Sequence, residues 1–104
     1  MTAMYDMANL KKLAPLGAAA PAAMAAFQAL DKAALADGVI PQKYKELMAI
    51  AVALTTQCPY CLEVHRKAAE AAGATREELA EASFVAVALR AGAAFTHASH
   101  LIGG

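Results

Sequence analysis

Alanine fills about thirty of the 104 positions of this chain, and that excess narrows the possible folds more than any other feature. Alanine is the best helix former, yet it gains little from burial because its side chain is a single methyl group. No stretch sustains an apolar–polar alternation of period two, and β-branched residues are sparse, so strands have little to build on. The expectation is an all-α chain, a small helical bundle with short connections, organised as one domain over residues 1–104. A core made largely of alanine limits what one copy gains from its own packing. Hydrophobic residues nevertheless make up 60% of the chain, so part of that surface is expected to meet further copies in a homo-oligomer.

Proline, glycine and capping residues divide the sequence. A short amphipathic turn is expected around Met4 to Leu13. The first clear helix begins at Pro21, a residue suited to the first helical position, and runs to about Leu35 before Asp37-Gly38 stops it. Met24, Phe27, Leu30 and Leu35 form its loose apolar stripe. Pro41 opens the second helix, which reaches about Thr56 with Leu47, Ile50 and Leu54 on one side. The third starts near Cys58-Pro59 and ends at Gly73, a favourable residue just past a helix end. Thr75 and Glu78 then have capping-box spacing. The fourth helix carries Leu79, Phe84, Val87 and Leu89 to His97 or beyond, and Gly92 is a position for a bend or a close helix contact. Met4, Met7, Met24 and Met48 read as core filling.

Charge excludes several functions. Nine basic and nine acidic residues are scattered and cancel, and no basic run interleaved with aromatics points to nucleic acid. The uncharged stretch from Leu13 to Leu30 contains Pro15, Gly17, Pro21 and Gln28, which makes it a poor membrane span. Asp6 ahead of Lys11-Lys12 also argues against a signal peptide. Cytoplasm is the expected location. In that setting a single C-x-x-C is more often catalytic or metal-binding than a structural disulfide.

The two cysteines of the chain lie in Cys58-Pro59-Tyr60-Cys61, with His65 four residues on. If Pro59 opens a helix, Cys58 is at its N-terminal cap, where free amides and the helix dipole favour a thiolate. Cys58, Cys61 and His65 then share one helix face. An imidazole, with an ordinary pKa of about 6.5, exchanges a proton with a thiol or a leaving group near neutrality. The plainer alternative is two small apolar cysteines and a solvated histidine. Glu46 is on the side of its helix that carries Ile50 and Ala53, an unusual place for a carboxylate. Burial there would make it a proton carrier, whereas a solvated pair with Lys43 would contribute little.

Cys-Pro-Tyr-Cys is also the active-site tetrapeptide of glutaredoxins. That fold needs a strand before the motif and a cis-proline loop after it. Here the preceding Met48–Thr56 segment reads as helix and no proline follows Pro59. A wider pattern matches better: Glu46, eleven residues, then Cys58-Pro-Tyr-Cys61-Leu-Glu-Val-His65. Over roughly residues 20–100 the chain resembles the alkylhydroperoxidase-D-like branch of the carboxymuconolactone decarboxylase family.

The resemblance implies small all-helical subunits that assemble as dimers, trimers or hexamers, and a thiol peroxidase that needs no cofactor. It implies that Glu46 and His65 form a proton relay, that Cys61 attacks the peroxide, and that Cys58 resolves the product. The partners implied are a hydroperoxide and a thiol or dithiol reductant. Tyr60 stands where some members carry a histidine, so one relay group is missing. Two alternatives remain: a lactone decarboxylase of the same family, which needs no thiol pair, and a metal-binding or redox-sensing module. That module would use Cys58, Cys61 and His65 with Glu46 or His97 as fourth ligand. His97 and His100, three apart, read as polar residues at a helix end.

Overall fold

The computed structural model describes residues 5–103, and every regular element among them is helical. A 3-10 helix, Met7–Lys12, is capped by the Asp6 carboxylate accepting from the Ala8 amide. It is followed by α1 (Leu13–Ala19), α2 (Pro21–Leu35), α3 (Gln42–Thr56), α4 (Pro59–Ala71), α5 (Arg76–His97) and a final turn, α6 (Ser99–Ile102). The all-α expectation holds.

Most boundaries follow from local chemistry. Pro21 and Pro59 occupy the first positions of α2 and α4, where the missing N–H is not needed. Pro41 caps α3 from just outside it. At α5, the Thr75 hydroxyl accepts from the Glu78 amide while the Glu78 carboxylate accepts from the Thr75 amide, completing the capping box. Gly73 adopts φ +96° after α4, a conformation that favours glycine.

The sequence reading did not anticipate α1. Pro15 falls in its first turn, where an amide proton is dispensable, and so does not break it. Gly17 is buried where α1 turns against α2; a Cβ there would come within 2.7 Å of the Met24 side chain. Gly92 causes no break, since α5 continues through it to His97.

α3 is the centre of the fold, flanked by α4 and α5, whereas α2 touches it lightly. The buried apolar residues are Ile50, Ala53, Ala69 and Ala86, all small or medium. Several expected core residues are instead exposed: Phe27 and Leu30 on α2, Met48 on α3, and Phe84, Val87 and Leu89 on α5. On α2 and α5 these residues lie on faces that no element covers in one copy; on α3 the expected side, Leu47, Ile50 and Leu54, is covered, and only the core-filling Met48 falls outside it. Met4 lies outside the described residues. The segment Arg76–Ile102 is, by length and composition, long and apolar enough to cross a membrane, and only 6% of its apolar window is buried. This segment is not the uncharged stretch 13–30, because α5 carries charged residues at its start and at Arg90.

Candidate active site

α3 and α4 are joined by two residues, Gln57 and Cys58. Gln57 takes the left-handed conformation at φ 56°, ψ 49°, and both its amide and that of Cys58 donate to the Ala53 carbonyl. This closure ends α3 and starts α4 at once. Arg90 of α5 donates to the Thr55 carbonyl at 2.9 Å, tying a third helix to the same corner. Cys58 is thereby fixed as the cap of α4, with its sulfur accepting from the Cys61 amide at 3.3 Å.

The two sulfurs lie 2.7 Å apart as free thiols, one S–H donating to the other. The hydrogen bond from Cys61, helped by the Cys61 and Tyr60 amides, lowers the pKa of Cys58 below its ordinary 9.0. Cys61 is pushed up to about 11, chiefly by that shared hydrogen bond, then by burial and by the charge on Cys58. The pair therefore binds one proton tightly and releases the other easily, with the first negative charge on Cys58.

His65 is two turns into α4 and faces Glu46 on α3. Its Nδ1 is 2.6 Å from Glu46 Oε2, a contact between residues 19 apart in sequence. Glu46 is 4% exposed and is the buried charged residue among those described. Lys43 does not pair with it; Lys43 bridges to Glu78 at 2.9 Å and so links α3 to α5. With Nδ1 engaged by the carboxylate, Nε2 is the ring nitrogen left for exchange chemistry.

A cavity of about 290 Å³ opens beside this pair. Its walls are mostly apolar, with Leu35 from α2 and Ala49, Val52 and Ala53 from α3, and its reactive lining is Cys61 and His65. Cys58 is absent from the lining. The acidic thiol and the cavity-facing thiol are thus different residues. A larger depression, about 780 Å³, lies between α3 and α5 against Tyr44, Leu47, Phe84 and Val85, and it holds neither cysteine nor histidine.

Of the residues singled out from sequence, Glu46, Cys58, Cys61 and His65 are brought together. The His97 and His100 rings lie 5.6 Å apart and tilted by 57° on the exposed end of α5 and α6, and neither lines the cavity beside Cys61. No three histidine, cysteine or acidic residues among those described are spaced to hold a metal ion. Tyr60 turns away from the cavity. Its hydroxyl accepts from Asn9 Nδ2 at 3.0 Å and its ring meets Tyr5 edge-on at 5.9 Å. Two residues at or near the site were not anticipated, Asn9 and the cavity-lining Asp31. Both reach it by long-range packing, which leaves no local spacing signal.

Known proteins repeat this arrangement of helices and sequence. The Carboxymuconolactone decarboxylase family profile matches residues 21–102. An uncharacterized protein encoded in the cox locus of Paracoccus denitrificans is 46% identical over 99 residues, spanning 92% of this chain and 89% of its own. An uncharacterized protein of Cupriavidus necator is 40% identical over 89 residues, covering 86% and 79%. The apo crystal structure of a carboxymuconolactone decarboxylase family protein from Legionella pneumophila superposes with a TM-score of 0.73 at 39% identity, over 77% of this chain and 71% of that one. This chain belongs to the carboxymuconolactone decarboxylase family, of which the alkylhydroperoxidase-D-like proteins are a branch.

Proposed function

We propose that this protein is a thiol-dependent peroxidase, or a closely related disulfide oxidoreductase, that reduces hydroperoxides through Cys58 and Cys61. The observation that carries this reading is a thiol pair at 2.7 Å beside a buried His65–Glu46 pair at 2.6 Å, with Cys61 and His65 on one apolar cavity. A lactone decarboxylase would have no use for two thiols held in contact.

Cys61, the thiol that faces the cavity, is the attacking group. Its proton passes to the Cys58 thiolate alongside or to Nε2 of His65, whose imidazolium the Glu46 carboxylate stabilises. The Cys61 sulfur then attacks one peroxide oxygen, the O–O bond breaks, and the departing alkoxide takes the transferred proton to leave as an alcohol. Cys61 is now a sulfenic acid. The Cys58 thiolate attacks that sulfur and expels hydroxide, which is protonated to water. The balance is two thiols and one hydroperoxide giving a disulfide, an alcohol and water. An external thiol or dithiol then reduces the disulfide by exchange. A reducing compartment such as the cytoplasm supplies that reductant, and the working form is a homo-oligomer.

A steady-state assay with cumene hydroperoxide and a panel of dithiol reductants tests the reading. Turnover is expected in the wild type and its loss in Cys61→Ser. Sulfenic-acid trapping in Cys58→Ser should label Cys61. If peroxide leaves both wild-type thiols titratable, the proposal fails.

A further inference from the structure

The cavity beside Cys61 has an uneven charge balance. Its ionisable lining consists of Asp31 on α2 and Cys61 and His65 on α4, with Glu46 behind His65. No lysine or arginine lines it. Asp31 is exposed at the cavity edge, and no cation pairs with its carboxylate among the described residues. The neighbouring Lys32 lines a second depression, which Asp31 and Leu35 also border together with Asp37, but Lys32 does not reach the lining beside Cys61. Apart from His65 and Cys61, the ionisable side chain in the lining is thus the Asp31 carboxylate, and the Glu46 carboxylate stands behind His65. The remaining walls are alanine, leucine and valine, with Thr56 at the end of α3.

We infer that Asp31 sets the charge specificity of this site: with apolar walls and no lysine or arginine in the lining, the cavity admits small uncharged electrophiles to Cys61 and turns away those that carry a carboxylate. This deepens the peroxidase reading by naming the substrate class, small uncharged organic hydroperoxides rather than hydroperoxy acids. The cavity volume of about 290 Å³ is at the lower end for small-molecule sites and so fits a compact ligand. Asp31 also adds its charge to the causes that raise the Cys61 pKa, which fits a carboxylate close enough to act on an anion at that sulfur.

The test separates charge from redox chemistry. Iodoacetamide and iodoacetate alkylate a thiol in the same way: the sulfur–carbon bond forms, the carbon–iodine bond breaks, iodide leaves and the thiol proton goes to solvent. One reagent is neutral and the other is a carboxylate. The reduced full-length protein is alkylated to low conversion with each, and the adducts at Cys61 and Cys58 are quantified separately by peptide mass spectrometry. Cys58, outside the cavity, is the internal reference. The iodoacetamide-to-iodoacetate rate ratio at Cys61 should fall about fivefold in Asp31→Asn and further in Asp31→Lys, with a smaller change at Cys58 and a weaker effect at high salt. An unchanged ratio at Cys61, or equal changes at both thiols, overturns the inference.

Hydroperoxides then test it together with the reading it rests on. Wild type should prefer cumene hydroperoxide over a hydroperoxy acid, and Asp31→Asn should narrow that preference. Peroxides that oxidise the thiols with no dependence on Asp31 would sink the charge filter and leave the peroxidase reading standing. A shift in alkylation ratio with thiols inert to both peroxides would do the reverse.

Discussion

Cys58 owes most of its acidity to a hydrogen bond from Cys61, so its titration reports on its neighbour. Cys61→Ala should move thiolate formation at Cys58 back toward 9.0, read from the pH dependence of its alkylation. If Cys58 keeps its acidity, the cap position and helix dipole suffice on their own. The two shifts affect stability in opposite directions. A lowered pKa makes Cys58 favour folding as pH rises from its folded value toward 9.0, a gain lost again as pH falls. A raised pKa makes Cys61 favour folding below 9.0, a contribution lost as pH climbs toward about 11. Reduced protein should thus lose part of its thermal stability between those two values, measurably more than a Cys61→Ala variant. Glu46 offers a second test at this scale. Glu46→Gln keeps an acceptor for His65 Nδ1 but removes the charge that stabilises an imidazolium. Peroxidase turnover should fall about 100-fold with little change in melting temperature. His65→Ala instead strands a buried carboxylate and should cost about 2 kcal/mol of stability, seen in denaturant unfolding.

At the scale of elements, the decisive piece is the corner between α3 and α4. Gln57 holds a left-handed conformation that costs a side-chain-bearing residue about 1 kcal/mol. Gln57→Gly should relieve part of that cost while leaving the Cys58 cap in place, so the melting temperature should rise without loss of thiol reactivity. A fall in both would mean that the Gln57 side chain itself holds the corner. These elements also mark what the sequence could reveal. Pro59, Cys58 and Cys61 set the helix start, and Thr75 with Glu78 sets another, because caps act within four residues. Helical period put Glu46 beside Ile50 and Ala53 but left burial and a solvated pair with Lys43 both open. His65 as its partner came only from the family resemblance, because that choice depends on how α3 and α4 pack. The same limit hid Asn9, whose contact with Tyr60 spans 51 residues, and Asp31, which shares a cavity with Cys61 only through the seating of α2.

For the whole molecule, surface area makes the case for assembly. The chain exposes 7834 Å², whereas a compact monomer of its mass exposes about 5,500 Å². Its radius of gyration is 17.1 Å, against about 13 Å for a compact chain of this length. The excess is comparable to the area buried in obligate interfaces, and it is apolar, with Phe84, Val85, Val87 and Leu89 exposed along α5 beside the depression at Tyr44. Among the described residues, four buried hydrophobic side chains, three of them alanine, form too small a core to offset the ordering of this many residues. A membrane would also accept the α5 face, but the charge of Arg76, Glu77, Glu78, Glu81 and Arg90 along that helix favours a protein partner over lipid. A second copy supplies both an apolar face and opposite charges from the same sequence. Folding should therefore be coupled to association: each tenfold rise in protein concentration should raise the melting temperature by about 5 °C, following roughly 1.4 kcal/mol per decade. Phe84→Glu should abolish that dependence and leave a species that light scattering reads as one chain, with reduced helix content. A wild-type protein that melts at one temperature across a hundredfold dilution, and scatters as a single 104-residue chain, would show that the exposed faces need no cover.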